Sequence, residues 1–259
     1  IKADDMLWPY QARDIESYSA AVAAAEREIV LSLSPGRDLS LAHREHLAEH
    51  ASMWRICDDV WDRWSDVTDN LGRMARWAPH AGSGAWPDAD MLPLGRIGIR
   101  AERGEDRDDL LTSAERRALL TVWTIARSPL MFGGDLPSTD PATIALLQNP
   151  GLIDLLSRAR ESGEIRREND LVLWRAAAPG TTWIAAVNTS DSELTAVLDT
   201  RDLGLGPAPG SLVDVWTGDT VPVRPGRTPE GTVRGVTPDS HAIDVALPAH
   251  GCAFWRSDD

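Results

Sequence analysis

Lysine is almost missing from this 259-residue chain: Lys2 is the only one, and the other 25 basic residues are arginine. Basic charge is scarce overall, with 26 Lys and Arg against 40 Asp and Glu and a formal net charge of −14. A nucleic-acid partner needs a basic stripe that neutralises phosphates, so none is expected. Long apolar runs are missing too. None reaches the roughly 20 residues of a membrane span, so no membrane partner is expected either. Cysteine is limited to Cys57 and Cys252; they are far apart, lack metal-ligand spacing, and read as two separate thiols. The opening residues, Ile1 to Asp5, carry neither an initiator Met nor the basic and apolar regions of a signal peptide. The chain is therefore expected to start inside a longer protein, and its compartment, secreted or cytoplasmic, stays open. What is present is a composition rich in Ala, Asp and Arg, as in a bacterial high-GC genome. Its apolar share of 42% is ample for a core.

The first 160 residues alternate short apolar runs with helical patterns, as βα units do. Gln11 to Glu28 reads as a helix, Ile29 to Leu33 as a strand stopped by Ser34-Pro35-Gly36, Leu41 to Ala51 as a helix, and Met53 to Cys57 as a strand. Val60, Trp64, Val67, Leu71 and Met74 then step by four, three, four and three along an amphipathic helix. A turn at Gly82-Ser83-Gly84 leads to Ala85–Pro93. Thr112 and Glu115 have capping-box spacing ahead of an apolar helix. Leu130–Phe132 reads as a further strand, and Pro141–Gln148 as a helix. After about Arg167 short strands separated by turn residues replace the helical period: Leu171–Arg175, Thr182–Val187, Leu194–Leu198, Leu212–Trp216 and Ile243–Leu247. The fold class is therefore α/β over 1–160, followed by an antiparallel β-sandwich over 168–259.

Acidic residues recur where the strands end: Asp4-Asp5, Asp58-Asp59, Asp88 and Asp90. No glycine-rich phosphate loop follows any of them. That pattern favours a barrel, whose catalytic side chains come from the C-terminal ends of several strands. Lys2 and Asp4 share one strand face, and so do Arg55, Cys57 and Asp59, because alternate residues point the same way. Two carboxylates with neighbouring cations suit a retaining glycosidase, which needs one ionised nucleophile and one acid/base roughly 5–5.5 Å away. Carboxylates after strands are also ordinary turn formers and helix N-caps. The residues alone leave both readings open.

Lys2-Ala-Asp4, Trp54-Arg55-Ile-Cys-Asp-Asp59, Trp86-Pro-Asp-Ala-Asp90-Met91-Leu and Trp123 to Met131 resemble glycoside hydrolase family 27, the α-galactosidase (melibiase) family, in order and spacing. The resemblance covers about residues 1–150, and the later β region is similar to the family's C-terminal domain. It implies an incomplete (β/α)8 TIM-type barrel, about strands 4–8, and a retaining cleavage of terminal α-galactosyl residues. It implies Asp4 as nucleophile and Asp59 as acid/base, with Lys2, Arg55, Asp90 and Met91 in the sugar pocket. Asp5 and Asp58 have the wrong parity for that pocket and are expected behind it or at a helix N-cap. No cofactor is implied, and the partner is an α-galactoside oligosaccharide or glycoconjugate.

Three departures qualify the expectation. Ser34 stands in a shortened stretch where the family often carries a carboxylate that helps choose the sugar. This leaves room for a larger 2-substituent, so α-N-acetylgalactosaminidase activity is an alternative, and β-L-arabinopyranosidase activity is another alternative within the family. The nucleophile motif continues into Asp5-Met6 and lacks the family's disulfide Cys. The family's first three βα units have no counterpart, so this polypeptide alone is expected to be inactive or poorly soluble, and the intact gene product active. A non-catalytic carbohydrate-binding fragment is the rival from another class.

His46-Leu-Ala-Glu49-His50 matches an inverted zinc-peptidase motif, but reads as a solvated helix face. Trp61, Trp64 and Trp77 read as core along one helix, Trp174, Trp183, Trp216 and Trp255 as strand packing, and Trp8 as a candidate for the pocket. Asn188-Thr-Ser190 is a glycosylation sequon. Arg103 to Arg117 reads as a solvated charge run.

Overall fold

The structure is a computed structural model that describes residues 1–82, 84–101, 104–206, 211–228, 231–232, 235–237 and 239–258. Ser83 of the expected glycine turn and Arg103 of the charge run lie outside the described residues. Two compact units emerge, one from residues 1–109 and 126–138, the other from 110–125 and 139–259.

The first unit is built on four parallel strands in sequential order: β1 (Lys2–Ala3), β2 (Ser32–Leu33), β3 (Met53–Arg55) and β4 (Trp86–Asp88). One helix lies between each successive pair: α1 (Ala12–Ala23), α2 (Arg44–His50) and α3 (Trp64–Trp77). The expected strand at Leu130–Phe132 is reduced to a single parallel bridge from Phe132 to Leu92. Apolar spacing explains α3, where Val67, Leu71, Met74 and Trp77 are buried along one side and Trp77 meets Trp54 edge-on at 6.0 Å. The helix begins at Trp64 and not at Val60. Asp66 accounts for the difference, because its carboxylate accepts the Trp61 N–H at 3.0 Å and holds residues 61–63 in a turn.

The histidine motif on α2 is not a solvated face. Tyr10 stacks on His43 with ring centroids 3.7 Å apart, and its hydroxyl meets His46 Nδ1 at 2.7 Å. Glu16 of α1 approaches His46 Nε2 at 3.3 Å. These contacts dock α2 onto α1. No group of three or more His, Cys, Asp or Glu among the described residues could hold a metal ion, and no described helix is long and apolar enough to cross a membrane.

The second unit opens with α4 (Ser113–Ile125). Its capping box forms as spaced: the Thr112 N–H donates to Glu115 Oε2 at 2.7 Å, and the Glu115 N–H to Thr112 Oγ1 at 3.2 Å. Two further helices follow, α5 (Pro141–Leu147) and α6 (Pro150–Arg158), each with Pro at its first position and a side-chain cap from Asp140 or Asn149. A six-stranded antiparallel sheet runs in the order 220–221, 212–214, 252–258, 181–188, 171–178 and 161–168. A three-stranded sheet combines 194–199, 241–247 and 224–225. One apolar cluster joins them, with Leu173, Ile184 and Trp255 from the larger sheet and Leu198, Ile243 and Leu247 from the smaller. Strand 181–188 is buried along its whole length, and α4 packs on the same sheet. Strands 161–168 and 252–258 have no clean alternation in sequence, the first being almost wholly polar and the second centred on adjacent Phe254 and Trp255. Trp174, Trp183 and Trp255 are buried as expected. Trp216 is half-buried and donates its indole N–H to Thr121 at 3.0 Å.

Asn188 of the sequon is fully buried. Its amide donates to the carbonyls of Ser192, Leu247 and Pro248, and its oxygen accepts from Ser190. It is a loop clamp and offers nothing to a glycosyltransferase. Asp199 plays the same part nearby. It accepts from the Thr237 N–H and hydroxyl, both at 2.7 Å, from the Arg201 N–H at 2.9 Å, and from Ser240. Burial opposes its charge, but the Ser240 and Thr237 bonds outweigh burial and hold its pKa far below the usual value. A carboxylate depressed in this way stabilises the fold above the ordinary Asp value of about 3.9, and the contribution is lost as pH falls toward its folded pKa. Asp199→Ala orphans several buried donors and is expected to cost about 3 kcal/mol. Urea unfolding at pH 7 and pH 3 tests this: the loss is expected to shrink at the lower pH.

Candidate active site

Four of the residues singled out from the sequence line one cleft at the C-terminal ends of β1–β3: Asp4, Ser34, Arg55 and Asp59. The cleft is open, with about 900 Å³ of empty space. Asp5, Leu7, Cys57, Asp58, Trp61 and Arg63 share its lining. Asp5 and Asp58 are therefore not behind the pocket, and neither caps a helix. The alternation argument fails for them because β1 ends at Ala3 and β3 at Arg55, so the chain is no longer extended where these residues sit. Asp5 has a left-handed backbone, φ +54°, and Asp58 accepts the Arg37 N–H at 3.3 Å.

Trp61 is a second correction. It precedes α3, is half-buried, and faces the cleft. Trp8 is 79% exposed and lines a separate small hollow with Met6, Tyr10 and His43. Leu7 forms the cleft wall in its place. Gly36 makes room for it: a Cβ there would meet Leu7 Cδ2 at 2.8 Å, and its φ of +76° suits glycine.

The electrostatics separate the carboxylates by environment. Asp4 is held below the usual carboxylate range, chiefly by a hydrogen bond from the Ser34 side chain. The Asp5 N–H and the charges of Lys2 and Arg55 add to this, against the effect of burial. Lys2 also acts by charge on Asp88 and Asp90. Arg55 is 2% exposed and links two carboxylates, Asp90 at 2.7 Å and Asp59 at 3.3 Å. Burial works against its charge, but the Asp90 and Asp88 carboxylates raise its pKa above the ordinary arginine value. Burial pushes the Cys57 thiol up to about 12, so it is not a nucleophile near neutrality.

Asp90 is buried, 6% exposed, with its backbone at φ +81°. Its carboxylate accepts the Val60 N–H at 2.7 Å, directly after Asp59, and its own N–H donates to Asp88 Oδ1 at 2.9 Å. Burial pushes Asp90 upward while Arg55 and the Val60 N–H pull against it. Asp88 is the residue that sequence reasoning left without a role. Burial raises it to about 6, and it holds the turn that presents Asp90. Ser128 fixes the intervening residue by accepting the Ala89 N–H at 2.9 Å. Met91 is half-buried and packs on Gly133, where a Cβ would meet its Sδ at 2.6 Å. The assembly thus offers an ionised carboxylate, Asp4, and a second, 62%-exposed carboxylate, Asp59, in one cleft, with a buried guanidinium beside the latter.

Comparison with known proteins agrees with the motifs. The melibiase family model described as alpha galactosidase A matches residues 8–157. Alpha-galactosidase D of Emericella nidulans is 31% identical over 173 residues, which are 65% of this chain and 24% of that protein. The human alpha-N-acetylgalactosaminidase is 30% identical over 153 residues, 56% of this chain and 34% of that one. The crystal structure of a β-L-arabinopyranosidase from Geobacillus stearothermophilus superimposes with a TM-score of 0.85 at 34% identity, covering 97% of this chain and 55% of that one. The chain therefore spans about half the length of that solved relative, and a quarter to a third of the two curated ones. With more than half of it matched by the family model, the chain belongs to the α-galactosidase (melibiase) family, glycoside hydrolase family 27.

Proposed function

We propose that the chain carries the reacting carboxylates of a retaining glycosidase acting on terminal α-galactosyl residues. In this reading residues 1–160 form an incomplete (β/α)8 catalytic barrel, about strands 4–8, and residues 168–259 a β-sandwich. One observation carries the reading: Asp4 shares a cleft with Asp59, the carboxylate tied to Arg55 at 3.3 Å. Asp4 attacks the anomeric carbon as Asp59 delivers a proton to the departing oxygen, giving a glycosyl ester. Asp59 then takes a proton from water, which displaces Asp4 with net retention. Lys2, Arg55, Asp90 and Met91 bound the sugar pocket, and no cofactor takes part.

A second reading, a β-L-arabinopyranosidase, draws support from the Geobacillus relative. That sugar has the ring configuration of an α-galactoside without its hydroxymethyl group. An α-N-acetylgalactosaminidase is supported by the small Ser34 and by the human relative. The test is hydrolysis of aryl α-galactoside, β-L-arabinopyranoside and α-N-acetylgalactosaminide by the intact gene product, with NMR of the first-formed sugar. The α-galactoside is expected to be cut fastest, with retention. An inverted product sinks the mechanism. Faster cleavage of another glycoside reassigns the sugar, and no cleavage of any returns the chain to a carbohydrate-binding role.

A further inference from the structure

A hollow of about 830 Å³ lies within the second unit, lined by the first turns of α4, by α5, by Asn149 and by Trp216. Small-molecule sites run from about 300 to 1,000 Å³. Its charge runs against that of the chain. Acidic residues outnumber basic ones by 40 to 26, yet the lining holds Arg116 and Arg117 and no carboxylate. Two neighbouring acids are engaged elsewhere. Asp140, which feels the charge of Arg116, accepts the Thr143 N–H at 3.0 Å and hydroxyl at 2.6 Å. Asp214 accepts the N–H groups of Trp216 at 2.8 Å and Thr217 at 2.9 Å. Arg117, the end of the run that reads as solvated charge, forms no hydrogen bond or ion pair among the described residues, and neither does the Ser113 hydroxyl.

The aromatic wall is fixed in place. The Trp216 indole N–H is taken by Thr121 at 3.0 Å, which leaves the ring itself for a ligand. Asn149 donates to the neighbouring Val215 carbonyl at 3.1 Å, and Gly151 lets that valine close in, since a Cβ there would meet its Cγ1 at 2.6 Å. We propose that this hollow binds an acidic saccharide, a sugar ring that carries a carboxylate. A guanidinium pairs with a carboxylate through two parallel bonds. The indole offers a large apolar surface to the carbon-bound hydrogens of a sugar ring, and the Ser113 hydroxyl can donate to or accept from a ring hydroxyl. A neutral sugar leaves Arg117 without its counter-charge, and a bare inorganic anion leaves Trp216 uncovered. The inference is independent of the roles of Asp4 and Asp59.

The test is calorimetric titration of the intact gene product with digalacturonate, with the neutral galactose disaccharide of the same linkage, and with inorganic sulfate. Digalacturonate is expected to bind, and to bind less tightly as salt screens the charges. The other two are expected to bind at least about tenfold more weakly, the size of one hydrogen bond to a charged group. Arg117→Ala is expected to weaken digalacturonate by a similar factor while hydrolysis of an aryl α-galactoside stays at the wild-type rate. Arg117→Gln keeps much of the side chain's length, so it carries the test if the alanine variant folds poorly, and the same loss is expected. Binding of the neutral disaccharide or of sulfate as tight as that of digalacturonate overturns the proposal. So does the absence of digalacturonate binding, or an affinity that neither variant changes.

Discussion

Replacing Asp4 by alanine in the intact gene product is expected to abolish turnover of every α-galactoside, whatever its leaving group, whereas Asp59→Ala is expected to discriminate between them. In the proposed roles the nucleophile is needed in all cases, because the glycosyl ester would form only on Asp4. The acid is needed in proportion to the basicity of the departing oxygen. General acid–base catalysis contributes about 10²–10⁴-fold; that full loss is expected for a disaccharide, and much less for an aryl glycoside whose phenolate leaves unaided. Added azide should restore Asp59→Ala on the aryl substrate, since a small anion needs no general base, and yield a glycosyl azide of retained configuration. Azide on Asp4→Ala should give the inverted azide. The opposite assignment of stereochemistry would exchange the two roles. Ser34→Ala supplies the pH arm. Asp4 acts ionised, so activity falls as pH drops through its pKa, and the Ser34 bond is the largest influence holding that pKa down. Without it the pKa rises, and the acidic limb of kcat/KM is expected to move to higher pH. An unmoved limb would remove Ser34 from the machinery.

The contrast between what the residues announced and what they hid follows from the range over which each signal acts. The capping box at Thr112–Glu115 and the buried stripe of α3 were legible because both are local, fixed by a spacing of three or four residues. Strand-face parity was legible only as far as the strand lasts. It predicts Lys2 and Asp4 on one face and Asp5 on the other, but β1 ends at Ala3, and Asp4 and Asp5 both line the cleft. Trp61 was misread because four-residue steps extend the helix back to Val60, and the carboxylate that stops it, Asp66, lies inside the helix it terminates. The histidine motif misled for the opposite reason. The spacing was right, but Tyr10 and Glu16, 36 and 30 residues away, take up the His46 imidazole. Asp88 had no sequence signal beyond its charge. Its role depends on a left-handed Asp90 and on Ser128, contributed from 39 residues downstream.

Asp90→Ala is expected to be the most damaging change away from the reacting carboxylates, and its effects divide into two that can be separated. The Arg55–Asp90 pair is 3% and 9% exposed at its side chains, and breaking such a buried pair strands a charge at a cost of about 3–5 kcal/mol. The Val60 N–H also loses its acceptor. Asp90→Asn keeps that acceptor and tolerates the left-handed backbone, as Asn commonly does, so it removes the charge alone. If the pair exists for stability, Arg55→Met combined with Asp90→Asn should remain as unstable as Asp90→Asn. Replacing a buried ion pair by uncharged groups of similar volume is instead often neutral or favourable, so the double variant is expected to recover most of the stability in urea unfolding. It should nonetheless stay inactive, because Arg55 is the cation that ties Asp59 to the rest of the site and acts by charge on Asp4. Recovery of both stability and turnover would show that the guanidinium is dispensable to the chemistry. Recovery of stability alone locates the purpose of this buried charge in the cleft, where Arg55, paired with Asp90, reaches Asp59.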